Sequence, residues 1–70
     1  MKRADLLRKI ARAAQAAGLL WEIAREGNNH TIYKLDGKQI PVGRHTELDD
    51  LYAEKVYKQC EDKLGKGWWR

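Results

Sequence analysis

Asp36-Gly37 separates two short runs, His30–Leu35 and Lys38–Val42, and this pair leaves the chain around it little choice. An Asp-Gly step accepts the positive φ angles of a two-residue turn whose twist matches paired strands, so the flanking runs are expected to form an antiparallel hairpin. The first run is rich in β-branched and aromatic residues, as a strand would be. In the second, Ile40 and Val42 share a side. Pro41 has no N–H to give to a ladder, which places this strand on a sheet edge.

Working upstream, Gly27-Asn28-Asn29 is a second turn signal. Before it, Leu19–Arg25 carries Trp21 and Ile23 on one side with Glu22 between them, the alternation of a half-buried strand. Before Gly18 the period changes. Leu6, Leu7, Ile10, Ala11, Ala14 and Ala17 recur at three- and four-residue intervals, with Arg8, Lys9, Arg12 and Gln15 on the other side. That spacing predicts an amphipathic helix from about Ala4 to Ala17, closed by a left-handed cap at Gly18.

Downstream, Thr46 with Asp49 three residues later approximates a capping box, and Asp49 competes with Thr46 as the N-cap. Leu48, Leu51, Tyr52, Val56, Cys60 and Leu64 form the apolar stripe of the second helix, which Gly65 ends. The predicted order is helix, strand, strand, strand, helix. Each helix has one apolar stripe to bury, so an α+β fold with both helices on one face of a three-stranded antiparallel sheet is expected. Residues 1–64 read as a single domain and 65–70 as a glycine and tryptophan tail. Trp68 and Trp69 fit either a segment folded back on the domain or a protein contact.

A chain of 70 residues buries only about 60% of the surface its unfolded form exposes. Cys60 is the single cysteine, which excludes an internal disulfide, and no Cys or His spacing suits zinc. No metal or cofactor is expected. A minimal packed core or a partner chain must then supply stability. No apolar run approaches the roughly 20 residues needed to span a bilayer. The charged start (Asp5, Arg8, Lys9, Arg12) does not read as an export signal, and with the unpaired thiol it leads us to expect a cytoplasmic protein.

The net charge is +4, and the excess lies almost wholly in residues 1–17, where Lys2, Arg3, Arg8, Lys9 and Arg12 face Asp5 alone. Such a helix suits a phosphate backbone, or is an ordinary solvated face. Arg25, Lys34, Lys38 and Arg44 offer further phosphate contacts, or surface charge balanced by Glu22, Glu26 and Asp36. The chain contains no serine, which removes Ser-His-Asp hydrolysis, and no glycine-rich phosphate loop precedes a helix. Acid–base chemistry or binding without chemistry survives. His30 is the main candidate for the former, because an imidazole ordinarily titrates near neutrality and can both take and give a proton. On the residues alone, a histidine beside a turn is more often a surface residue. His45 also reads as a residue leading into the second helix. Asn28 and Asn29 orient a phosphate or shape the turn; Tyr33 stacks on a base or packs in the sheet; Cys60 is a packed thiol.

The stretch Arg25-Glu26-Gly27-Asn28-Asn29-His30-Thr31-Ile32-Tyr33 resembles the HicA family of toxins from bacterial type II toxin–antitoxin systems. The resemblance takes in Lys2-Arg3-Ala4-Asp5-Leu6-Leu7 and Ala17-Gly18 upstream. Downstream it takes in Tyr33–Lys38, Ile40-Pro41-Val42-Gly43-Arg44-His45 and Glu47-Leu48, and so covers Lys2 to about Leu64. It implies a double-stranded-RNA-binding-domain-like fold and a ribosome-independent mRNA interferase, neutralised by a HicB-type antitoxin. The family's catalytic histidine falls on His30 and its turn glycine on Gly27. Where many members have Gly-Ser-His, this chain has Asn28-Asn29-His30. The stretch before Arg25 is about two residues longer than usual, and Trp68-Trp69 lies outside the pattern. The alternatives from other classes are a non-catalytic RNA-binding module and a protein-interaction module.

Overall fold

A computed structural model describes residues 1–70. Helix α1 spans Arg3–Ala17, strands β1, β2 and β3 span Trp21–Glu26, His30–Leu35 and Lys38–Gly43, and helices α2 and α3 span Asp50–Gln59 and Glu61–Leu64. The strands form one antiparallel sheet in the order β1-β2-β3. Asp36 and Gly37 both have positive φ, 50° and 86°, as the hairpin turn requires. Pro41 is exposed on the edge strand β3, where its missing N–H breaks no ladder.

One core joins the layers. Leu6, Ile10 and Ala14 of α1 and Ala53, Val56 and Tyr57 of α2 meet Tyr33, Leu35, Ile40 and Val42 of the sheet, with Leu48 and Cys60 completing the cluster. Tyr33 lies opposite Ile40 and Thr31 opposite Val42, so these strand residues share the face the helices cover. Each fully buried aliphatic contributes roughly 1.5–3 kcal/mol, and a chain of this size has few of them. The other sheet face is open.

Several elements differ from the expectation. Gly18 (φ 70°) caps α1 as predicted, and its N–H and that of Leu19 return to Gln15 and Ala14 carbonyls. That wrap makes Leu19 part of the cap, so β1 starts at Trp21. Ala17 is exposed. Trp21 and Ile23 do share the helix-covered face, opposite Leu35 and Tyr33, yet Ile23 is 56% exposed. A bulge between Ile23 and Arg25 then resets the alternation.

The N-cap of α2 is Asp49, so the capping box from Thr46 does not form. Instead Thr46 serves the backbone: its carbonyl accepts the Arg3 N–H at 2.9 Å, next to a Lys2–Glu47 bridge. With the helix starting three residues later, Leu51 faces solvent, where it is 73% exposed, and Ala53 and Tyr57 lie inward. The second helix is also not continuous: the Cys60 N–H bonds to Tyr57, three residues back, and α3 is a separate single turn. The tail folds back. Trp68 donates its indole N–H to the Tyr57 carbonyl at 2.8 Å, Trp69 stacks near the Tyr57 ring, and Lys9 donates to the Trp69 carbonyl at 2.7 Å.

Candidate active site

His30 heads β2. Thr31, Tyr33 and Leu35 are buried, so His30, Ile32 and Lys34 project to the open sheet face, and His30 is exposed. The turn before it is tight: Gly27 donates its N–H to the His30 carbonyl at 2.8 Å. A Cβ at Gly27 would stand 3.1 Å from that oxygen, which explains a glycine at this position. Asn28 and Asn29 lie exposed at the tip, and their side chains hold nothing in the fold.

Arg44 fastens this turn from the other strand. Its Nη2 donates to Glu26 Oε1 at 2.9 Å and also to the Gly27 carbonyl, while weaker contacts reach the carbonyls of Asn28 (3.5 Å) and His30 (3.4 Å). Thr31 lies beneath, only 2% exposed. Its hydroxyl donates to Glu26 Oε1 at 2.7 Å and accepts from Arg3 Nη2 at 3.1 Å and Arg44 Nε at 3.4 Å. Arg3 also donates to the Gly43 carbonyl at 2.8 Å. The Thr31 hydrogen bond is the largest influence on the Glu26 carboxyl, and with Arg44 and Arg3 it holds that group below its ordinary range against the opposing effect of desolvation.

The basic residues singled out in the sequence therefore fall into three groups, with Lys38 and Lys2 apart from them. Arg3 and Arg44 are tied into the turn. Arg8 pairs with Asp5 (3.0 Å) and, with Arg12, lies on the outward side of α1, each two residues, about 200° of helical rotation, from Leu6 and Ile10. Lys9 lies on the flank against Tyr57 and Trp69. Arg25 and Lys34 belong to the open sheet face with His30; Arg25 is exposed and Lys34 half-buried. Lys38 pairs with Asp62 at 2.8 Å, and Lys2 is exposed beside the Glu47 bridge. A single bound strand at His30 thus has Arg25 and Lys34 on its own side of the sheet, and the helix cations on the opposite side of the molecule.

Tyr33 is 8% exposed and stacks on Trp21 with ring centres 4.5 Å apart, which makes it a core residue. Cys60 is fully buried, and its surroundings push the thiol up to about 11. Beside His30 the surface dips into a depression of about 270 Å³ shared with Asn29, His45, Glu47, Asp49 and Tyr52. The Tyr52 hydroxyl accepts the Gly43 N–H at 2.9 Å, joining α2 to the end of β3. No three His, Cys, Asp or Glu side chains converge as a metal-ligand set. No helix is long and apolar enough to cross a membrane.

Thr31 and Glu26 carry the turn, and neither stands out in the sequence. The available signal is parity: Thr31 falls on the buried side of β2, and a buried hydroxyl requires partners. Comparison with protein-family models, curated proteins and solved structures gives no match.

Proposed function

We propose that this protein is an RNA endonuclease of the HicA kind, cleaving mRNA in the cytoplasm with His30 as general acid or base and neutralised by a HicB-type antitoxin. One observation carries the reading: the exposed imidazole of His30 stands on a turn that Arg44, Glu26 and Thr31 hold rigid. Proton transfer to a bound strand needs an accessible imidazole on a backbone held in place, and the exposed His30 on this braced turn supports that role.

The lateral charges support the same reading. Arg25 and Lys34 share the His30 face of the sheet and suit phosphates of a strand that runs across that face from the His30 end. The sequence resemblance over Lys2 to about Leu64 supports the family and the partner. Leu20 and Ile23 at the β1 end, 63% and 56% exposed, give a covering protein an apolar contact that a free monomer leaves in water.

The test is induced expression of wild type beside His30→Ala, reading growth and RNA integrity. Wild type is expected to arrest growth and fragment mRNA, and the variant to do neither while keeping its circular dichroism spectrum. Undiminished RNA cleavage by His30→Ala would remove His30 from the chemistry.

A further inference from the structure

We propose that His45 is a second catalytic residue, forming with His30 an acid–base pair across one cleft; the proposal rests on the ribonuclease reading above. The fold brings the two together from opposite strands. His30 is the first residue of β2, and its partner in the ladder is Gly43, the last of β3. His45 follows two residues later, and two residues of chain reach at most about 7 Å. Both imidazoles are exposed and both line the depression of about 270 Å³ beside the sheet end.

The frame on either side of the cleft is fixed. Arg44, between Gly43 and His45, is tied to Glu26 and to the carbonyls of the turn that carries His30. Gly43 is tied to the Tyr52 hydroxyl of α2 and, through its carbonyl, to Arg3 of α1. The two histidines are thereby mounted on one rigid corner and not on independent loops. The other titratable groups facing the cleft are Glu47, which lies 3.6 Å from the Met1 amino group, Asp49 and Tyr52.

The chemistry of RNA cleavage gives two imidazoles distinct work. The neutral one accepts the proton of the 2′-hydroxyl as the 2′-oxygen bonds to phosphorus. The protonated one gives its proton to the 5′-oxygen as the P–O5′ bond breaks. The products are a 2′,3′-cyclic phosphate and a 5′-hydroxyl, and the imidazoles finish with their protonation states interchanged, to be reset by solvent. The attacking and leaving oxygens lie on opposite sides of phosphorus, so one fixed imidazole cannot serve both at once. A pair flanking the phosphate can.

The experiment uses the full chain and compares wild type, His30→Gln, His45→Ala and His45→Gln on RNA, and on a nucleoside 3′-phosphodiester with a nitrophenolate leaving group. Circular dichroism checks each fold, and His45→Gln keeps a polar side chain of similar size in case alanine perturbs the corner. Loss of one proton-transfer group is expected to slow RNA cleavage by roughly 10²- to 10⁴-fold. Wild type should give a bell-shaped pH–rate profile, and His30→Gln and His45→Gln should each lose one limb, on opposite sides. The nitrophenolate needs no proton, so one of the two variants should recover most of its rate on that substrate and the other should not. Wild type that cleaves RNA alongside a folded His45→Gln with full rate and both limbs intact overturns the pair and leaves His30 standing. A wild type that leaves both substrates intact overturns the ribonuclease reading and the pair with it.

Discussion

Arg44 places Nη2 2.9 Å from the Glu26 carboxylate and 3.4 Å from the His30 carbonyl, with Nη1 3.5 Å from the Asn28 carbonyl and Nε 3.4 Å from the Thr31 hydroxyl. A planar, forked donor can serve a carboxylate and several carbonyls at once, which a single ammonium cannot. Arg44→Ala is expected to cost about 1–2 kcal/mol in urea unfolding, because the pair is partly solvated, and to lower RNA cleavage by more than that loss of fold accounts for. Arg44→Lys should restore little of either. A lysine variant equal to wild type in both measurements would show that charge alone holds the turn.

Thr31→Val removes the hydroxyl that sits between two guanidiniums and a carboxylate while keeping the shape of the side chain. The hydroxyl is buried, but Glu26 and Arg3 reach solvent and can be hydrated in its absence, so its loss should cost only about 1 kcal/mol. The denaturation midpoint should fall with an unchanged slope, since the same surface is exposed on unfolding. An unshifted midpoint would mean that Arg44 and Glu26 satisfy each other without Thr31.

Acid should weaken the turn in a predictable direction. The Glu26 carboxyl is lowered in the fold, chiefly by Thr31, and that of Asp62 by Lys38. A lowered carboxyl adds stability above its unfolded pKa and loses it as pH falls through the folded one, so this contribution should be whole at pH 6 and fade below about pH 4. Both groups are well exposed, and the effect is therefore small. In Glu26→Gln the loss of stability between pH 6 and pH 3 should be shallower than in wild type.

The hairpin order was legible because Asp36-Gly37 and Gly27-Asn28-Asn29 encode backbone conformations that few other residues accept. His30 as an exposed residue at a strand head followed from the same signals. The start of α2 was not, because two acceptable caps lie three residues apart and only the tertiary pairing of Thr46 with Arg3 chooses between them. That choice sent Leu51 outward. Arg3 reads as a free cation because its partners are the Gly43 carbonyl and the Thr31 hydroxyl, which carry no charge pattern to notice. The register that sets His30 opposite Gly43 runs unbroken from the Asp36-Gly37 turn. The approach of Glu47 and Tyr52 that makes a cleft there depends on tertiary packing that no local pattern contains.

Trp68 closes the base of the core against Tyr57, edge to face with ring centres 5.2 Å apart, and its N–H is hydrogen-bonded. Trp68→Ala should cost about 2 kcal/mol, less than the 3–5 typical of a fully enclosed tryptophan because the ring is half exposed. Trp68→Phe, which keeps an aromatic ring and loses only the hydrogen bond, should cost about 1 kcal/mol. Urea unfolding followed by circular dichroism separates the two; equal losses would assign the whole effect to the hydrogen bond.

Burial pushes the Cys60 thiol up to about 11, so almost no thiolate exists in the native state at neutral pH. A disulfide reagent at pH 8 is expected to react with native protein only as fast as the core opens, and immediately in denaturant. Rapid labelling without denaturant would place Cys60 at the surface.

The bonds from Arg3 to Gly43 and to Thr31 span 40 and 28 positions of the chain, whereas the two hairpins close through turns of a few residues. Closing a loop ten times longer costs about 2 kcal/mol more in chain entropy, so the β-meander is expected to form before α1 docks. An intermediate with its hairpins paired and α1 loose would already carry His30, but without the Arg3 contacts that brace Thr31 and Gly43. Docking of α1 completes the fold and the site in the same step, and any partner that held the first helix away would disarm the histidine without touching it.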